Sequence, residues 1–178
     1  MTAAANPPAD APSPLPPTRI GPRSFEWGSR TFVMGIVNVT PDSFSGDGLL
    51  ATVEGRGGAA VEAAVILARR MVDDGADILD VGGESTRPGH ALVSAAEETA
   101  RAIPVIAAIH AELPDVPISV DTTKAEVARA ALDAGAVLLN DVWGVGPDDA
   151  IARLAGERQV PLVVMHNREA ANYADFVP

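Results

Sequence analysis

Short apolar runs, separated by longer segments of helical periodicity, dominate the chain after its first 23 residues. Runs of this length are typical of strands buried on both faces of a parallel sheet. Five occur, at residues 32–37, 78–81, 118–120, 137–139 and 160–165. The alternation of these runs with helical segments predicts a βαβαβαβαβ chain and therefore the α/β fold class.

Four helices are predicted between the strands, over residues 59–74, from Ser94, over 124–134, and from near Pro147. Ser94 and Glu97 have the spacing of a capping box, as do Thr123 and Glu126. Pro104 inside the second helix predicts a kink.

Residues 1–23 differ in composition from the rest of the chain. They contain seven prolines and show no hydrophobic period, which predicts a disordered Pro/Ala-rich tail. Residues 24–38 predict a hairpin with its turn at Gly28 and Ser29. We therefore expect a tail at 1–23 and a single domain at 24–178.

Composition and charge narrow the function classes. Lys and Arg total 13 and Asp and Glu total 24, so the formal net charge is −11. This argues against nucleic-acid and anionic-membrane partners, which require clustered cations. The absence of cysteine excludes disulfides and thiolate sites. We find no run long enough for a transmembrane helix and no signal-peptide pattern, so we expect a cytoplasmic domain.

Polar side chains follow every predicted strand. In a parallel sheet the carboxyl ends of the strands meet on one face, where ligands bind. The residues concerned are Asn38 and Thr40, Glu84 to Arg87, Asp121, Asn140 and Asp141, and His166 to Arg168.

Each of these residues taken singly also fits a structural role. Asp121 fits a position before a helix cap, and Asn140 and Asp141 fit a turn. Glu84 fits a residue that holds its loop by hydrogen bonds, and a histidine such as His166 after a strand is more often structural than catalytic. The repetition at all five strand ends favours a ligand site.

Five motifs carry a resemblance to a known family. In order they read MGIVNVTPDSFSGDG, DILDVGGESTRPG, ISVDTTKAEVARAALDAGA, LLNDVWG and LVVMHNR. Together they closely resemble the dihydropteroate synthases, pterin-binding enzymes of the folate pathway, over about residues 27–168. NVTPDSF and ESTRPG are highly specific, whereas VDT and ND alone are weak. The resemblance implies a (β/α)₈ barrel of the TIM type, of which this chain holds the N-terminal portion.

The resemblance also implies a reaction. The family joins p-aminobenzoate to 7,8-dihydropterin-6-ylmethyl diphosphate, forms 7,8-dihydropteroate and releases diphosphate, with Mg²⁺ as cofactor. Its expected path is dissociative. Diphosphate leaves first, the electron-rich pterin stabilises the cation at the methylene, and the amine attacks second.

Strand-end residues inherit binding roles from the resemblance. Asn38 is implied to hold Mg²⁺ and diphosphate, which suits an amide oxygen beside a hard cation. Asp121 and Asn140 are implied to hydrogen-bond the pterin, and Met165 to line its pocket.

Two loops inherit catalytic roles. The first, at residues 40–45, brings Thr40 and Asp42 over the second substrate and excludes water. The second brings Thr86 and Arg87 near the diphosphate and p-aminobenzoate. The resemblance thus implies Thr40, Asp42 and Arg87 as catalytic residues, and Thr86 and Arg87 as substrate contacts.

The sequence departs from the family pattern in two places. The first loop reads SFSGDG where the family more often has SFSDGG. A complete barrel takes roughly 250 residues, and the family's later Asp-Pro-Gly, Ser-Arg-Lys and Arg-x-His motifs are absent from the 178 residues. We therefore expect an incomplete barrel of about five strands that is inactive alone, without the C-terminal helices of a family-like homodimer.

Two alternatives remain open. One is a pterin-binding module of a methyl-pterin/corrinoid methyltransferase, against which NVTPDSF and ESTRPG argue. The other is a non-catalytic derivative of the enzyme.

Overall fold

The computed structural model describes residues 15–40, 57–84, 93–144 and 149–165. In chain order its elements are β1 (Thr18–Ile20), β2 (Arg23–Phe25), β3 (Met34–Asn38), α1 (Gly57–Asp73), β4 (Ile78–Gly82), α2 (Ala95–Glu112), β5 (Ile118–Asp121), α3 (Ala125–Asp133), β6 (Leu138–Asp141), α4 (Ala150–Arg158) and β7 (Leu162–Val164). No helix in these ranges is long and apolar enough to cross a membrane.

Strands β3 to β7 form one parallel sheet whose spatial order equals their order in the chain. A doubly wound sheet reverses direction at a switch point, whereas a (β/α)₈ barrel adds each new strand on the same side. The strand order is therefore that of a barrel, and the predicted α/β class and five parallel strands are confirmed.

Four helices lie between the strands as predicted, and the predicted cap of one of them is wrong. The kink predicted at Pro104 stays a prediction, and Pro147 lies outside the described residues.

Ser94 begins α2 as predicted, and its Oγ accepts a hydrogen bond from Glu97 N at 3.2 Å. The predicted cap of α3 by Thr123 is wrong, because the N-cap residue is Lys124 and makes no side-chain cap bond. The hydroxyl of Thr122 accepts from Lys124 N at 3.2 Å instead. The turn after β5 thus uses Thr122 and moves the start of α3 along the chain.

The predicted N-terminal boundary and hairpin need correction. β1 lies within the stretch 1–23 and pairs antiparallel with β2, so strand structure already includes Thr18 and the expected boundary near Ser24 is wrong. Gly21, with a φ of 53°, and Pro22 form the two-residue turn between them. The expected hairpin around Gly28 does not form, since β3 pairs with β4. A tail at residues 1–14 lies outside the described residues and stays a prediction.

Alternation along the strands gives the sheet two different faces. On the outer face, Val37, Val81 and Val120 join a buried apolar cluster with Ala68 of α1 and Ile106 of α2. This cluster fixes the helices on one side of the sheet.

The inner face is apolar at its amino end. Ile78 and Leu138, the first residues of β4 and β6, pack against Ile20 and Phe25 of the hairpin. The hairpin therefore covers the amino end of the inner face, and the polar side chains lie toward its carboxyl end.

Candidate functional site

A row of residues crosses the inner face at the carboxyl ends of four strands. Asn38 pairs in register with Gly82, Gly82 with Asp121, and Asp121 with Asn140. Partners in register point to the same face of a sheet, so the three polar side chains share one surface. A Cβ at Gly82 would lie 3.5 Å from Asp121 Cβ and 3.8 Å from Asn38 Oδ1. The glycine therefore leaves a shallow concavity between Asn38 and Asp121.

Asp121 carries the one carboxyl group of this row, and its pKa is strongly perturbed. Burial, together with the neighbouring carboxylates, raises its pKa to about 7. The carboxylates are those of Asp80, Glu98, Asp141 and Glu84. Its Oδ1 is buried without a hydrogen-bond partner among the described residues. A buried acceptor of this kind is satisfied when a ligand donates to it.

The Asn140 side chain is hydrogen-bonded to a buried aspartate nearer the amino end of the sheet. Its Nδ2 donates to Asp80 Oδ2 at 2.9 Å. Burial raises the pKa of Asp80, while the nearby Ser119 hydroxyl and the Asn140 amide act against that rise. Asp80 was not predicted as a site residue, because it lies inside an apolar strand and not at the strand end. The signal that points to Asp80 is a charged residue within a buried apolar run. Burying a charge costs free energy unless a polar partner compensates for it.

An ion cluster lies beside the row and was also missed. Lys124 Nζ contacts Glu84 Oε2 and lies 2.6 Å from Glu98 Oε2. Glu84 Oε1 accepts a hydrogen bond from Val93 N at 2.9 Å. This bond connects the two residues that flank the stretch 85–92. The structural role for Glu84 is thereby supported. The lysine directly after VDTT was the signal available in the sequence.

Lys124 and Glu84 keep their charges in this cluster. Burial alone would lower the pKa of Lys124, but its two carboxylate partners outweigh this effect and raise that pKa. Burial acts to raise the pKa of Glu84, yet Lys124 and the Val93 amide lower it overall. The charged forms of Lys124 and Glu84 are therefore stable at neutral pH.

The remaining predicted residues lie in different settings. Thr40 follows β3 and is buried, while Met165 follows β7, donates from its backbone N to Asp141 O at 3.2 Å and is 40% exposed. Asp141 forms a turn, in which its Oδ1 accepts from Trp143 N at 2.9 Å. Other predicted residues lie outside the described residues, so their roles stay predictions. They include Asp42, Thr86, Arg87 and His166.

The fit of the site to Mg²⁺ rests on Asn38. Within the described ranges, no group of three His, Asp or Glu side chains is placed to hold a metal ion. Mg²⁺ often keeps most of its waters and takes its other ligands from substrate phosphates, so one protein oxygen is enough. The exposed Asn38 amide, beside the concavity at Gly82, fits that donor set.

Comparisons with known proteins identify the family of the chain. The family model described as pterin binding enzyme matches residues 34–178. The dihydropteroate synthase of Bacillus subtilis (strain 168) is 50% identical over 157 residues, which are 88% of this chain and 52% of that protein.

Two solved structures are similar as well. One is the dihydropteroate synthase of Clostridium difficile in the presence of pteroic acid, with 48% identity, a TM-score of 0.73, and coverage of 84% of this chain and 53% of that one. The other is the Xanthomonas albilineans dihydropteroate synthase with 4-aminobenzoic acid, with 49% identity, a TM-score of 0.69, and coverage of 80% and 49%.

The chain spans about half the length of the curated relatives it matches. The resemblance to the dihydropteroate synthases is confirmed, and the chain belongs to the family of pterin binding enzymes.

Proposed function

We propose that the chain supplies the pterin-binding half of a cytoplasmic dihydropteroate synthase. The reaction joins 7,8-dihydropterin-6-ylmethyl diphosphate to p-aminobenzoate and releases 7,8-dihydropteroate and diphosphate. The observation that carries the proposal is the row of Asn38, Asp121 and Asn140 across one face, with the unpartnered Asp121 oxygen in it.

The order of the row suggests how the substrate lies. A pterin ring presents amino and ring N–H donors beside ring-nitrogen acceptors, which suit a carboxylate and an amide. Asp121 and Asn140 are adjacent in the row and would hold the ring. Asn38 is on β3 and Asp121 is on β5, so one strand separates them. At the usual strand spacing their backbones are about 10 Å apart. The diphosphate would therefore extend from the ring toward Asn38.

These residues act by binding and orientation. The bond between methylene carbon and diphosphate oxygen breaks with its electrons going to diphosphate, and the amine lone pair then forms the new C–N bond and loses a proton. Mg²⁺, when bound, supplies neutralisation of the diphosphate charge. Asp121 and Asn140 fix the ring so that the methylene faces the incoming amine.

The first test is the affinity of the chain for dihydropterin diphosphate with Mg²⁺, measured by calorimetry. Asp121→Ala should weaken binding by roughly 1–3 kcal/mol, because polar groups of the ligand are then left unsatisfied. Asp73→Ala, at the exposed end of α1, is the matched control and should leave the affinity unchanged. Equal affinity of the Asp121 variant and the unmodified chain would contradict the proposal.

A second measurement separates a synthase from a pterin-binding module. The chain is continued with the C-terminal half of the Bacillus subtilis relative as one polypeptide, and dihydropteroate formation is followed. Formation that requires p-aminobenzoate supports the synthase. Pterin binding without any such turnover supports the module instead.

A further inference from the structure

We propose that Asp80 is a positioning residue of the candidate site, which holds the Asn140 amide in one orientation and so sets which ligand atoms Asn140 recognises. The inference rests on the proposed function, because it takes the ligand to be a pterin. Asp80 lies two residues before Gly82 on β4, toward the amino end of the strand, and acts through Asn140.

The geometry places Asp80 to do this. It lies on the inner face of β4, in register with Ile36 on one side and Ser119 on the other, and is only 4% exposed. Asn140 Nδ2 reaches it at 2.9 Å from β6, across the intervening β5. A carboxylate accepts and an amide nitrogen donates, so this bond is lost when the amide turns over.

A fixed amide has a consequence for specificity. The two orientations of an asparagine amide have nearly the same shape but exchange donor and acceptor. With Nδ2 bonded to Asp80, Asn140 keeps Oδ1 as an acceptor and one N–H as a donor in set positions. A pterin carries an amino donor at carbon 2 beside the acceptor nitrogen N1, and this pair complements the fixed amide.

A 2-oxo pteridine, the lumazine type, reverses this pattern. It carries an oxygen at carbon 2 and an N–H at position 1, so it exchanges both the donor and the acceptor. The amide fixed by Asp80 disfavours it, and an amide that is free to turn over accepts either ligand. Asp80 should therefore select 2-amino over 2-oxo pteridines.

The test compares the dissociation constants of 7,8-dihydropterin and 7,8-dihydrolumazine. In Asp80→Asn the partner of Asn140 offers either a donor or an acceptor, so the preference for the 2-amino ligand should fall about tenfold, the size of one hydrogen bond. General damage to the site would weaken both ligands equally and leave the ratio unchanged.

Asp77→Asn is the matched control. Asp77 is another buried aspartate, directly before β4, but at the amino end of the sheet, where it accepts from Arg30 Nη1 at 2.8 Å and from Val33 N at 2.9 Å. Its substitution should lower stability and leave the ligand ratio as it is. A fall of the ratio in this control would overturn the inference.

The unmodified chain provides a readout that does not depend on the variant folding. One Asn140 Nδ2 proton should exchange with water more slowly than the other, as seen by NMR, and two protons in equally fast exchange would overturn the inference. An unchanged ligand ratio in Asp80→Asn, with pterin binding that still depends on Asp121, would overturn it while leaving the proposed function standing. Absence of pterin binding by the unmodified chain would overturn both.

Discussion

A carboxyl group that is buried without a partner is costly, and Asp121 is in that position. It ends β5, with its Oδ1 lacking a hydrogen-bond partner within the described part of the chain. Burial and four nearby carboxylates disfavour its charged form. Groups with perturbed pKa values cluster at functional sites. A bound ligand can donate the hydrogen bond that the protein does not provide. The cost at Asp121 is therefore a sign of function at the scale of one residue.

The pH dependence of stability should show this cost. The pKa of Asp121 is about 7 in the folded chain against an ordinary value of 3.8. Between about pH 4 and pH 7 the folded state therefore keeps a proton that the unfolded state has released. Its contribution to the free energy of unfolding therefore falls as pH rises through that window. Asp121→Asn cannot ionise and should be more stable than the unmodified chain at pH 8 by on the order of 1–3 kcal/mol.

Urea unfolding at pH 4.5 and pH 8 measures the difference, which should shrink at the lower pH. Asp73→Asn, on the exposed end of α1, serves as the control for the loss of one negative charge. A stability difference for the Asp121 variant that is independent of pH would argue that its carboxyl group titrates normally.

At the scale of elements, local patterns predicted most of the fold. Apolar runs predicted the buried strands β4 to β6, and the spacing of Ser94 and Glu97 predicted the start of α2. Both signals lie within a few residues of the sequence. The hairpin β1–β2 was missed because Gly21 and Pro22 stand in a proline-rich stretch, where composition predicts disorder. What orders the hairpin is the burial of Ile20 and Phe25 under the sheet, which is a contact between distant parts of the chain.

The candidate site divides in the same way. Asn38, Asp121 and Asn140 were predictable because each directly follows an apolar run, and parallel strands bring such positions together. The contacts of Asp80 and Lys124 were not predictable, although both residues carry a signal in the sequence, since the contacts depend on which side chains face one another across neighbouring strands and helices.

The end of α3 gives a prediction at this scale. Gly135 has a φ of 115°, and a Cβ added to it would lie 2.5 Å from His110 Cγ on α2. Gly135→Ala should therefore lower the free energy of unfolding by at least roughly 1–3 kcal/mol, from the strained backbone alone. Gly156→Ala is the control, because an added Cβ there meets nothing within 4 Å and Gly156 lies inside α4.

The control should gain about 0.5–1 kcal/mol, since alanine favours a helix interior over glycine. Thermal or urea unfolding of the two variants measures both effects. Losses of equal size in both variants would show that α2 and α3 do not approach as closely at Gly135 as the structure indicates.

At the scale of the whole molecule, the two outer strands of the sheet differ from the central ones. β3 and β7 each pair with one neighbour in the described part of the chain. Both carry exposed apolar side chains, among them Ile36, Val163 and Val164. Exposed edges and apolar faces promote association. The chain spans only about half the length of its curated relatives, and further strands added at these edges would cover the same side chains.

The final prediction uses one substitution in two settings. Ile36 is 57% exposed on β3, and Ile66 is 43% exposed on α1. In the 178-residue chain, Ile36→Lys should reduce self-association and binding of an apolar dye, because it places a charge on the open inner face. When the chain is continued with the C-terminal half of the Bacillus subtilis relative, the same lysine should destabilise the protein by several kcal/mol, because the added strands bury it. Ile66→Lys should have little effect in either setting, since α1 lies on the outside of the sheet. Light scattering and urea unfolding follow the two effects, and a lysine at position 36 that is equally harmless in both proteins would show that no further strands close over this face.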